Sequence, residues 1–190
     1  GGMTPVKLAL SGMAVHLFLS SMTQAIIILN ESGEDVLYWM TGAIDGSNWQ
    51  DVITIAPFSV IGIGLALVFS GSVSVLGLGD ETAKGLGQNM NGIRILISLI
   101  ILILSGASVA VAGPIGFVGL LVPHIVRKLI GEHYQYVLPF SALFGAILLV
   151  YADVLARWIA FPYESPVGIV TAIIGTPFFL YLARKGRNLK

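Results

Sequence analysis

"ILISLIILILSGASVAVA", Ile95 to Ala112, decides the fold: it runs eighteen residues without a charge, broken only by serines and one glycine. At 1.5 Å per residue such a helix is about 27 Å long, close to the roughly 30 Å of a bilayer's hydrocarbon core. Inside lipid, a helix satisfies its backbone N–H and C=O groups internally, so this stretch predicts a transmembrane helix.

The rest of the chain repeats the pattern. It is 56% hydrophobic and 11% charged, with a mean hydropathy of +0.91, which is integral-membrane composition. Leu8 to Leu29 and Val52 to Phe69 are two further spans. Val137 to Trp158 and Val167 to Ala183 are two more, the last introduced by Ser165 as a helix cap and Pro166 in the first turn. Gly113 to Arg127 is apolar but short, and is expected as a re-entrant or short helix shielded by neighbours. The predicted fold is all-α, a polytopic transmembrane helical bundle forming one domain over residues 1–190. The start, "GGMTPVKLAL", has no charged region followed by a small-residue cleavage site, so no signal peptide is read and the chain is expected to begin within a longer one.

Charge gives the orientation. Threaded with the C-terminus inside, six spans put Lys7, Lys84, Arg94, Arg127, Lys128, Arg184, Lys185, Arg187 and Lys190 in the cytoplasm, nine of the ten basic residues. The Asn30 to Asp51 loop, with five acids and no Lys or Arg, falls outside, as does Arg157. Net charge is zero, so no basic field points to nucleic acid. Without cysteine there is no disulfide, thiolate metal site or cysteine nucleophile.

A polar island, "SVLGLGDETAKGLGQNM" from Ser74 to Met90, then lies on the cytoplasmic side. It is no phosphate loop, because Gly-Lys-Ser/Thr is absent from the whole chain. Its local reading is a helix of one or two turns, capped by Asp80, with Glu81 in the first turn, Ala83 and Leu86 on one side, and Gly87 as its end. Such a helix is either a solvated connector or an element that docks in a partner's groove.

Three long stretches carry a resemblance. "LGLGDETAKGLG" (76–87), "GFVGLLVPHIVR" (116–127) and "PVGIVTAIIGTPFF" (166–179) are similar to the membrane-spanning permease subunit of bacterial ABC importers for iron-siderophores, haem and vitamin B12. The similarity runs over essentially the whole chain and covers the fifth to tenth of that family's ten helices. It implies a type II ABC importer permease fold in a bacterial cytoplasmic (inner) membrane, and a transport subunit rather than an enzyme. The implied partners are cytoplasmic ABC ATPase subunits, an extracytoplasmic substrate-binding protein and a second permease subunit, in a lipid membrane. The implied cargo is a ferric siderophore or related metal chelate, moved by alternating access. No cofactor is expected.

The resemblance also assigns residues. Gly79, Asp80, Glu81, Ala83, Gly85, Leu86 and Gly87, flanked by Leu76, Leu78 and Met90, match the coupling loop (residues 74–92), which forms two short helices that insert into the ATPase. Arg157 matches the basic residue that meets an acid on the binding protein. On its own residues Arg157 can equally pair with Asp153, one turn earlier. The 30–51 segment resembles the external loop whose short helix shapes an outer gate, and its Tyr38, Trp39 and Trp49 read equally as an interfacial aromatic belt. Ser11, Met13, Ser20 and Gln24 are candidate translocation-path residues. Gly106, Ala110, Gly168, Ala172 and Gly175 are expected to let helices approach closely. His16, His124 and His133 share no metal-ligand spacing, so no protein-bound metal is expected; His124 is read as a hydrogen-bonding residue near the membrane boundary. The competing function is an ATPase-independent secondary transporter or channel, which would call for midplane charges or broken helices. An intramembrane hydrolase has neither HExxH nor GxSxG to support it.

Overall fold

The computed structural model describes residues 5–30, 33–163 and 165–187. Its helices, in chain order, are α1 (Pro5–Asn30), α2 (Gly33–Met40), α3 (Trp49–Val68), α4 (Ser70–Gly77), α5 (Asp80–Gly85), α6 (Met90–Ala112), α7 (Val118–Ile130), α8 (Tyr134–Ala160) and α9 (Val167–Arg187). Among the described residues no strand occurs. The chain divides into two compact units, Gly1–Tyr38 and Trp39–Lys190.

Among the described residues, four helices are long and apolar enough to cross a membrane: Ala9–Leu29, Trp49–Val68, Met90–Ala112 and Tyr134–Ala160. Val167–Leu182 is a shorter apolar helix, and α7, with 13 residues, is only about 20 Å long. Several helices start earlier than hydropathy suggested, and for α3 and α6 a polar side chain caps the earlier start. Asn48 and Asp51 form a reciprocal box: Asn48 Oδ1 accepts from the Gln50 and Asp51 N–H groups, while Asp51 Oδ2 accepts from the Asn48 N–H at 2.9 Å. Asn89 Oδ1 accepts from the Gly92 N–H at 3.2 Å and opens α6.

The second unit is built from antiparallel neighbours: α3 packs on α6, α7 on α8, and α8 on α9. Between apolar helices in lipid there is little hydrophobic driving force, so close packing must hold them. Gly62 lies where a Cβ would strike Leu104 of α6, and Leu121, Val122 and Val126 of α7 cluster with Val137 of α8. Of the small residues expected to line helix contacts, Gly106 has open space around it, whereas Gly168 and Gly175 abut the Thr41 carbonyl and the Phe117 side chain. The hydropathy pattern says where small residues are but not what lies across from them; Gly62, which sequence reasoning passed over, makes the α3–α6 approach.

At one end of this unit three segments meet. The Gly42 N–H donates to the Trp39 carbonyl, the Ala43 N–H to the Ala112 carbonyl (3.0 Å), and the Gly168 N–H to the Gly42 carbonyl (2.9 Å). Ala152, Ala156, Val167 and Val170 form the buried cluster beside them, with Ile44 and Ile115 packed against it. At the opposite end lie α4, α5, the start of α6, the α7–α8 turn and the end of α9. Lys84, Arg94, Arg127, Lys128 and Arg184 all belong to that second end.

Candidate functional site

The island becomes two short helices at that basic end. After the α3 helix ends at Val68, the chain continues as α4, turns at Leu78 and Gly79, and forms α5. Gly79, at φ 102, occupies the N-cap of α5, and Asp80 is its first helical residue. The expected Asp80 cap is therefore displaced by one: the sharp turn out of α4 needs a positive φ, which only glycine adopts without strain. The Asp80 side chain lies outside the described residues.

The far end of α5 is closed as expected. The Gln88 N–H donates to the Ala83 carbonyl (3.1 Å) and the Gly87 N–H to the Lys84 carbonyl (2.9 Å), with Gly87 at φ 78. This paired 6→1 and 5→2 pattern is a Schellman motif, and it satisfies carbonyls that a short helix would leave bare.

Packing then fixes α5 against the bundle. Ala83 is fully buried, Met90 and Ser70 nearly so, and Gln88 reaches back sixteen residues so that its Nε2 donates to the Ser72 carbonyl of α4 at 3.1 Å. Gln88 was inside the quoted island yet carried no role in the sequence reading, because its partner is distant in the chain. The outward side is different in kind. Leu78 and Leu86 are each 65% exposed, Glu81, Lys84 and Gly85 are exposed, and a Cβ on Gly79, Gly85 or Gly87 would meet nothing within 4 Å. A loop tied to the bundle thus presents two leucines and a pair of opposite charges to its surroundings.

Beside it, α4 and the α7–α8 turn enclose an open groove of about 570 Å³, lined among others by Val75, Leu78, Arg127, Glu132, His133 and Tyr134. The Arg127 guanidinium lies over the Tyr134 ring, 5.4 Å from its centroid, and Nη2 donates to the Tyr134 hydroxyl at 3.2 Å. These residues are seven apart and meet because Gly131, at φ 90, reverses the chain.

The other candidate positions are dispersed. Asp153 and Arg157 pair at 2.8 Å through Oδ2 and Nε, one turn apart on α8, with half of the arginine side chain still exposed. On α1, Met13, Ser20 and Gln24 fall within about 40° of one another, while Ser11 sits on the far side of the helix. His124 does not make the expected hydrogen bond: its buried Nε2 has no partner among the described residues, and its ring meets Phe178 edge-on at 5.8 Å. An apolar neighbour from α9, invisible in the local string around His124, packs against the ring. Among the described residues no group of three or more His, Asp or Glu converges. Lys190 lies outside the described residues, as do the side chains of Lys185 and Arg187.

The family model of the FecCD transport family matches residues 1–185. The iron(3+)-hydroxamate import system permease protein FhuB of Bacillus subtilis is 46% identical over 99% of this chain and 49% of its own length. The Fe(3+) dicitrate transport system permease protein FecC of Escherichia coli is 41% identical over 94% and 54% respectively. The cobalamin import system permease protein BtuC of Halobacterium salinarum is 42% identical over 96% and 50%. A solved structure, described as an inward-facing conformation of a metal-chelate type ABC transporter, superposes with a TM-score of 0.88 at 30% identity, over 96% of this chain and 60% of that one. The chain thus spans about half the length of the curated relatives it matches. It belongs to the FecCD transport family, as a multi-pass, all-helical membrane protein with the fold of an ABC importer permease.

Proposed function

We propose that this chain is a permease component of an ATP-driven importer that moves a ferric siderophore or related metal chelate across the cytoplasmic membrane by alternating access. In this reading the end bearing Lys84, Arg94 and Arg127 is cytoplasmic, and the C-terminus with it. ATP is hydrolysed on a partner ATPase subunit, an extracytoplasmic binding protein delivers the cargo, and a second permease subunit completes the pathway.

One observation carries the proposal: α5 is held against the bundle through buried Ala83 and the Gln88 tie, while Leu78 and Leu86 remain exposed beside it. A short helix braced on one side and apolar on the other transmits a push from a docked partner into α4 and α6, which a solvated connector would absorb. Gly79, Asp80, Glu81, Ala83, Gly85, Leu86 and Gly87 constitute this coupling element. Arg157, oriented by Asp153, contacts the binding protein, and Met13, Ser20 and Gln24 form a stripe facing the translocation path.

The test is binding-protein-stimulated ATP hydrolysis by the complete reconstituted importer. The double change Glu81→Arg, Leu86→Asp is expected to lower stimulated hydrolysis at least tenfold and to weaken ATPase association. Unchanged stimulation in an assembled complex would remove the coupling assignment. Arg157→Glu is expected to weaken binding-protein affinity, more at low salt than at high. Equal affinity of the variant and the parent would leave Arg157 as the partner of Asp153 alone.

A further inference from the structure

The groove between α4 and the α7–α8 turn shares its α4 wall with the loop just assigned, but its other wall is distant in sequence, and it has the features of a second docking surface. One wall is α4, contributing Val75 and Leu78; the other is the turn that carries Arg127, Glu132, His133 and Tyr134. Leu78 is the residue through which α4 turns into α5, so the groove is continuous with the exposed face of α5.

Three physical features favour a protein segment bearing a carboxylate. The Arg127 guanidinium is already oriented, with the Tyr134 ring beneath it and the Tyr134 hydroxyl on Nη2. That pairing favours a subset of arginine rotamers before the partner arrives, which is how preorganised contacts gain affinity. Arg127 and Tyr134 are also among the residue types that dominate interface energetics, and here they adjoin the apolar wall of Val75 and Leu78. The turn wall carries both signs, Arg127 and Glu132, so the groove reads a partner's charge pattern and not merely its net charge.

We infer that the α4/α7–α8 groove receives a carboxylate-bearing segment of the same ATPase subunit that engages α5, with Arg127 as its ion-pairing anchor. This rests on the coupling reading above, and extends the contact surface from the α5 loop to a second, sequence-distant part of the chain. An ATPase held at two points on one permease resists rotation about α5, so its opening and closing is delivered as displacement of α4.

The experiment measures the affinity of the ATPase subunit for the full-length permease in nanodiscs of phosphatidylcholine and, separately, of phosphatidylglycerol. Arg127→Glu is expected to raise the dissociation constant at least tenfold in both lipids, and Arg127→Lys and Tyr134→Phe about threefold each. A photo-crosslinking amino acid in place of His133, with Arg127 intact, is expected to capture the ATPase subunit and so reports independently of any folding defect. A change under twofold for Arg127→Glu would overturn the proposal, as would absence of the adduct. So would an effect confined to the anionic lipid, which would make the groove a headgroup site. Leu86→Asp run in parallel separates the failures: if it weakens binding while Arg127→Glu does not, the groove assignment falls and the coupling loop stands; if neither does, both fall.

Discussion

Two glycine-rich regions of this molecule use the same residue for opposite reasons. At the junction where residues 39–44 meet α6 and α9, glycine is required by space. A Cβ on Gly168 would run into the Thr41 carbonyl, and one on Gly113, which also has φ 68, into the Trp39 carbonyl. Around α5, at the other end of the bundle, Gly79 and Gly87 are required by dihedral angle alone, and Gly85 by nothing inside the chain. The first region is a backbone clasp with no room for a side chain. The second is a short capped helix whose glycines face open space.

Substitution at these glycines tests that contrast. The largest effect is expected at the clasp: Gly168→Ala and Gly113→Ala each force backbone apart, at a cost above about 3 kcal/mol, read as loss of folded permease or a marked drop in its unfolding midpoint in detergent. Gly87→Ala meets no neighbour, so only the left-handed dihedral is penalised, by about 1 kcal/mol; a cost as large as that at Gly168 would mean that the open surroundings are misread. The smallest effect on the isolated chain is expected at Gly85→Ala, where replacing a helical glycine is neutral or stabilising by about 0.5 kcal/mol. If α5 seats closely against an ATPase subunit, that same harmless variant lowers ATPase affinity in the complex. An unchanged affinity would show that the partner approaches Leu86 without touching the Gly85 backbone.

Much of this was legible in the chain. Uncharged runs such as 95–112 signal membrane helices because a bilayer filters for length and apolarity, which are local properties. The island's glycines marked the ends of α5 for the same reason, since a Schellman closure at Gly87 is written in a few consecutive residues. The Asp80 cap was misplaced by one residue because capping is decided by where the chain must turn, and the turn at Gly79 is set by the packing of α4. Asn48 and Asp51 show a missed signal of the opposite sort: the capping box was present in the string, but hydropathy places a boundary only where apolar residues begin.

The sequence by itself determined the all-helical membrane fold, the asymmetric distribution of charge, and the polar island with a short helix in it, because each depends on residues within a few turns of one another. Only the tertiary structure decided which glycines are steric and which conformational, that Gln88 reaches Ser72, that His124 faces Phe178, and that Arg127 meets Tyr134 beside α4. Those contacts join residues whose neighbours in space are set by how helices cross, and no local pattern of residue types records what lies on the other side.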